Sequence, residues 1–145
     1  MAWEKIENVR PSNAKNVCPS DGITIRPRSI NFTDKKKARW IEITLGKALA
    51  EKLVLRLDMQ PVAIAIGSGG NAGMVGIQVD GEGDFLAKRS KTTGQYRVTI
   101  PAESAADLFS LDFPGFALPG VGVEHQHNQP PMAVFTPPPV FFAQD

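Results

Sequence analysis

Basic residues gather around one short polar stretch of the chain, TDKKKAR, where four positive charges fall within five residues. Two arginines shortly precede it. A protein that neutralises several phosphates together releases the counterions condensed on them, and this term supplies most non-specific affinity for nucleic acid. The stretch therefore predicts contact with an anionic partner. The basic residues of this first group are Arg26, Arg28, Lys35, Lys36, Lys37 and Arg39.

A second basic group surrounds the turn KTTG later in the chain. Both groups occupy predicted hairpins, as expected of a protein that contacts duplex DNA at two places. A different interpretation stays open, because lysine-rich turns are also simply solvated and keep sheet edges from pairing. The basic residues of this second group are Lys88, Arg89, Lys91 and Arg97.

The net charge of +1 hides an uneven distribution. Residues 1–60 hold 12 Lys/Arg against 7 Asp/Glu, whereas residues 61–145 hold 4 against 8. Such a division predicts one face that meets an anionic partner, although basic surfaces that bind nothing are also common.

Length and composition bound the class of protein. A chain of 145 residues with 42% hydrophobic content can bury a core. The N-terminus is charged where a signal peptide would be apolar, and no apolar run approaches the roughly 20 residues of a membrane span. Cys18 is the single cysteine, which excludes an intrachain disulfide. We expect a cytoplasmic protein without a membrane segment.

The chain contains no recognisable catalytic arrangement. No serine, histidine and carboxylate, and no cysteine and histidine, occur in the contexts that nucleophilic catalysis requires. His125 and His127 could hold a metal together, but two histidines alone make a weak site. We therefore expect no enzyme activity, no cofactor and no metal.

The hydrophobic spacing predicts a β-rich α+β fold. Apolar residues alternate at strand spacing in ITIRPRSINF, RWIEITL, VAIAIG, MVGIQVD, DFLAKRS and QYRVTI. Pro27 predicts an edge or a break in the first of these, and Glu42 is predicted to face outward from the second. GKALAEKLVLRL predicts a helix of about three turns, and PAESAADLF predicts a short helix opened by Pro101.

The two ends of the chain lack this periodicity. Residues 1–22 predict an irregular lead-in, and residues 110–145 predict an extended tail rich in proline and glycine. Between them, residues 23–109 predict a duplicated β-rich domain with units at about 23–80 and 81–109.

The division into two units depends on an internal repeat. Shifting the chain by 55 residues lays Ile43 on Val98 and Ile30 on Phe85. The same shift aligns hairpin, strand and helix in order, which favours a duplication. The alternative is that any two amphipathic strand-to-helix units look alike.

The strand-to-helix segment RVTIPAE, residues 97–103, resembles the AbrB/MazE-like swapped-hairpin DNA-binding domains of the SpoVT/AbrB type, and residues 43–47 do so more loosely. The resemblance covers about residues 29–109. It implies two ββαββ units that interlock their hairpins into one small barrel and present basic residues to DNA. After Phe109 no alternating hairpin follows, so the second unit departs from the family pattern. The barrel is completed either within one chain or by a homodimer.

We therefore expect a DNA-binding protein, a transcriptional regulator or an antitoxin-like factor, that contacts duplex DNA through its basic hairpin turns. The alternative is a non-enzymatic interaction or assembly component, of the phage or mobile-element type, that docks through its tail. Proline runs lose little entropy on docking, and the tail is too apolar for a plain linker. Its side chains either dock on a protein partner or fold back on the barrel. The predicted docking residues are Phe135, Pro137, Pro138, Pro139, Phe141 and Phe142.

Overall fold

A computed structural model describes residues 17–31, 37–105 and 108–142. Within these ranges the chain is β-rich, and nine strands form a single curled antiparallel sheet with the shape of a half-barrel. The strands are β1 Ile23–Asn31, β2 Lys37–Leu45, β3 Met59–Ile66, β4 Val75–Val79, β5 Phe85–Arg89, β6 Tyr96–Pro101, β7 Phe116–Leu118, β8 Gly122–Glu124 and β9 Met132–Phe135. The helices are α1 Lys47–Lys52 and α2 Ala102–Ala105, with 3₁₀ turns at Gly69–Asn71 and Pro139–Phe141.

The sheet is curled because one short stretch of chain, residues 116–124, supplies the strands at both edges of the sheet. The strand order is β7-β1-β2-β6-β5-β3-β4-β9-β8, so β7 and β8 are the two outermost strands. Only residues 119–121 separate them in sequence, and four peptide units span at most about 15 Å. The two ends of the sheet must therefore approach each other. The Val121 amide donates to the Asp21 carbonyl at 3.0 Å and holds the connection against the start of β1.

Alternating side chains place the core on the concave side of the sheet. Ile41 and Ile43 of β2, and Val98 and Ile100 of β6, are all buried, as the period-two pattern predicts. Leu49 of α1 packs into the same cluster. The predicted strands of the central region and the hairpins β3–β4 and β5–β6 are confirmed by these pairings.

Strands β2 and β6 are antiparallel neighbours, and Ile43 lies directly opposite Val98. These two residues are the pair that a shift of 55 residues aligns. The helices that follow begin at Lys47 and Ala102, which also differ by 55. The first strand of each hairpin does not keep this offset. Ile25 lies opposite Ile43, and Ala87 lies opposite Val98. The residue numbers of Ile25 and Ala87 differ by 62 and not by 55, so the predicted equivalence of Ile30 and Phe85 is wrong.

Two local predictions differ from the structure in part. Strand β1 runs through Pro27, so the predicted break is wrong. The alternative, an edge, is what the structure has, because β7 reaches only as far as Ile25 and Pro27 pairs with β2 alone. At such an edge the missing N–H of proline is tolerated. Helix α1 ends at Lys52 instead of continuing for three turns, since Val54 adopts a left-handed conformation (φ 63°) that terminates it. In the described part of the chain, no helix is long and apolar enough to cross a membrane.

The region predicted as an extended tail contributes three strands and part of the core. Strands β7, β8 and β9 join the sheet, and Phe141 is only 1% exposed. The Phe141 ring lies 4.7 Å from that of Phe109 and 5.3 Å from that of Phe113, measured between centroids. Because these strands are three or four residues long and separated by proline and glycine, the sequence shows no sustained period there.

Candidate functional site

The side of the sheet that faces away from the core, here called the outer face, carries basic residues from both predicted groups. Residues on this face alternate with the buried ones, so they are the even-numbered residues of β1, β2 and β5 and the odd-numbered residues of β6. The register then places four basic residues, from three strands, on one face across the four adjacent strands β1, β2, β6 and β5. These are Arg26 and Arg28 of β1, Lys88 of β5 and Arg97 of β6.

Glu42 lies between two of these arginines and is only 5% exposed, although its strand position faces outward as predicted. The Arg26 guanidinium donates to Glu42 Oε1 from Nη2 at 2.8 Å and from Nε at 3.0 Å. Arg97 Nε lies 3.5 Å from the same oxygen. One carboxylate thus holds two guanidinium groups that come from strands on either side of it. The trio retains a net charge of +1.

Arg39 and Arg89, two other predicted DNA-binding residues, lie on the opposite side of the sheet. Arg39 donates to Asp112 Oδ1 at 2.6 Å, and Arg89 Nε donates to Asp58 Oδ1 at 2.9 Å. The Arg89 guanidinium holds the pKa of Asp58 below its usual value through this hydrogen bond and its charge. Each arginine is therefore neutralised by a neighbouring carboxylate.

Lys37 and Lys91 lie towards opposite ends of β2. Lys35 and Lys36 fall outside the described residues, and Lys37 opens β2. Lys91 lies exposed in the turn between β5 and β6. Because β2 and β6 are antiparallel, that turn lies beyond the end of β2 at Leu45. At about 3.3 Å per residue, β2 from Lys37 to Leu45 spans roughly 26 Å.

A groove of about 750 Å³ opens on the outer face above β6. Thr99 and Pro101 form its floor, and the side chains of Trp40 and Leu86 line it from the strands on either side. The carboxylates of Glu42 and Asp84 line it as well. Arg97 and Lys88 line the end nearest the second basic turn. Sequence reasoning did not find this groove, because its residues come from three strands and only their register brings them together.

The predicted partner-docking residues mostly contact the protein itself. Phe135, Pro137 and Phe141 are buried, and Phe142 packs against the core cluster. Only Pro139 among them is exposed, while Pro138 is half-buried. Of the two alternatives left open for these side chains, the structure favours folding back on the protein's own core.

His125 and His127 follow β8 and are exposed. Within residues 17–31, 37–105 and 108–142, no three histidine, cysteine or carboxylate side chains are grouped closely enough to hold a metal ion. Comparison of the chain with protein-family models, with curated proteins and with solved structures finds no match.

Proposed function

We propose that this chain binds duplex DNA as a regulatory protein, with the outer face of its sheet against the sugar–phosphate backbone. The proposal depends on one observation. Four basic residues, from segments some 60 residues apart in sequence, lie on the same face across four adjacent strands. They are Arg26, Arg28, Lys88 and Arg97.

The arrangement suits a polyanion better than a single small anion. Three inter-strand spacings of about 4.8 Å separate β1 from β5, so the basic residues spread over about 14 Å. Double-stranded DNA carries one charge per about 1.7 Å of its axis, which amounts to about eight phosphates along that length. Glu42 offsets part of the positive charge, but it also holds Arg26 and Arg97 in place before DNA arrives.

The hairpin β1–β2 supports a second contact. Within the described residues, the part of β1 after Ile25 pairs only with β2, and the part of β2 before Trp40 pairs only with β1. A two-stranded ribbon of this kind fits the major groove of B-form DNA. In sequence, the lysine-rich segment TDKKKAR connects β1 to β2.

The pattern of strand pairing supports duplicated swapped-hairpin units of the AbrB/MazE-like kind. Strand β3, which follows the helix of the first unit, pairs with β5 of the second. Strand β7, which follows the helix of the second unit, pairs with β1 of the first. The order β7-β1-β2-β6-β5-β3 therefore has the same arrangement from either end. In this proposal one chain supplies both units that the family draws from two.

The alternative, an assembly component that docks through its tail, requires Phe135 and Phe141 to leave the core. Both are buried, and Phe141 contacts several other aromatic rings. We therefore rank this function second.

Titrating the protein with a duplex of mixed sequence at several salt concentrations tests the proposal. Four phosphate contacts predict a slope of log K against log salt near −3.6, so affinity should fall about 100-fold between roughly 50 and 200 mM salt. A slope close to zero, or no binding at low salt, would contradict the proposal.

A further inference from the structure

We propose that the outer-face groove above β6 receives one unpaired nucleotide, with the base between Trp40 and Leu86 and the phosphate on Arg97 and Lys88. This inference extends the proposed function, because it assigns a substrate unit to part of the same face. The groove measures about 750 Å³, within the range of small-ligand sites.

The groove is wide enough for a flat ring. Trp40 belongs to β2 and Leu86 to β5, so β6 alone lies between them. The register sets Trp40 opposite Pro101 and Leu86 opposite Thr99, so the two side chains face each other diagonally across β6. Two inter-strand spacings and a shift of two residues place them about 12 Å apart. A planar base that contacts an apolar side chain on each of its faces needs two van der Waals distances, about 7.5 Å. Thr99 and Pro101, on the floor between them, are small enough to leave that space open.

The chemistry of the groove matches a nucleotide as well. Arg97 lies directly opposite Lys88, and the Arg97 side chain is 59% exposed, so both cations can reach one phosphate. Hydroxyl groups of Thr99 and Ser104 also line the groove, as do the carboxylates of Glu42 and Asp84, and these groups can hydrogen-bond to the edge of a base. Stacking on aromatic side chains is tolerant of base identity, which predicts little sequence preference at this position.

A paired base inside a duplex is stacked between its neighbours and cannot enter such a slot. The groove therefore selects an unpaired base, in a single-stranded end or an extruded position. Ordinary duplex binding along Arg26 and Arg28 does not require it.

Trp40 provides the readout, because the chain has only one other tryptophan, Trp3. In a Trp3→Phe background, thymidine 5′-monophosphate should quench the remaining fluorescence with saturation. Leu86→Ala should raise the dissociation constant about fivefold or more, since stacking and burial on one face of the base are lost. Leu57→Ala, another exposed leucine that does not line the groove, should leave it unchanged.

Inorganic phosphate should bind at least about tenfold more weakly and leave the fluorescence unchanged, because it cannot stack. The inference is overturned if the nucleotide does not quench, if inorganic phosphate competes equally well, or if Leu86→Ala has no effect. Duplex affinity measured on the same variants separates the two proposals. Binding of duplex without nucleotide contradicts only this inference, and binding of nucleotide without duplex contradicts only the proposed function.

Discussion

Ile43 of β2 and Val98 of β6 lie directly opposite each other in adjacent strands, and they occupy equivalent positions in the two strand-to-helix segments of the chain. An antiparallel strand pair is related by a local two-fold axis. Here that axis passes between two residues that are also related by the 55-residue shift. The shared register brings Arg26 and Arg97, from distant segments, to the same carboxylate of Glu42.

Glu42→Ala should destabilise the fold by about 2 kcal/mol, because it removes charge-assisted hydrogen bonds and leaves Arg26 half-buried without its partner. Chemical denaturation monitored by circular dichroism measures the change. Glu51→Ala is the matched control, since Glu51 is exposed on α1 and its loss should cost under about 0.5 kcal/mol. Equal effects of the two variants would show that the trio contributes nothing to stability.

Gly22→Ala should lower stability by about 2 kcal/mol or more, since an added Cβ would overlap the Leu118 carbonyl oxygen and the backbone of Pro119. This loss corresponds to a fall in Tm of roughly 6 °C for a chain of this size. Gly70→Ala is the control, because an added Cβ there meets no atom within 4 Å. An unchanged Tm for Gly22→Ala would contradict the close approach between the start of β1 and the β7–β8 connection.

Phe141→Ala should cost about 3–5 kcal/mol, the usual range for a buried aromatic side chain. Val140→Ala, at a neighbouring position that is 42% exposed, should cost far less. Denaturant midpoints compare the two variants. If Phe141→Ala left the midpoint unchanged, the C-terminal segment would be peripheral to the core. Deleting residues from 129 onward removes β9 together with Phe141, so we expect it to destabilise the sheet as a whole.

The central strands could be predicted from sequence because one face of each is fully buried, which imposes a strict alternation on Ile41 and Ile43 and on Val98 and Ile100. The shorter strands could not. Residues 116–118 and 122–124 are too few to show a period, and they pair with strands far away in the chain.

The candidate site was predicted only in part. One face of the sheet does carry four of the predicted residues, Arg26, Arg28, Lys88 and Arg97. Arg39 is two residues from Ile41 along β2, so its side chain lies on the same side of the sheet as that core residue. That phase was visible in the sequence. The pairing of Arg39 with Asp112, and the burial of Glu42, depend on long-range contacts that no local pattern encodes.

Asp58 should titrate below its ordinary pKa of 3.8, because Arg89 stabilises the carboxylate. A depressed pKa means that the stabilising contribution is present above pH 3.8 and is lost as the pH falls through the value in the folded protein. NMR titration of the Asp58 carboxyl carbon measures the shift directly. In Arg89→Gln the pKa should rise towards 3.8. An unchanged pKa in that variant would contradict the pairing.

The most direct test of the account compares two double variants that remove the same charge. Arg28→Gln with Lys88→Gln removes two exposed cations of the outer face, whereas Lys52→Gln with Arg56→Gln removes two exposed cations elsewhere. Duplex affinity is measured against salt for both. The account predicts a slope shallower by about 1.8 and at least tenfold weaker binding for the first variant only, since each lost phosphate contact removes about 0.9 from the slope. Equal losses in both variants, or none in either, would contradict the claim that the outer face binds DNA.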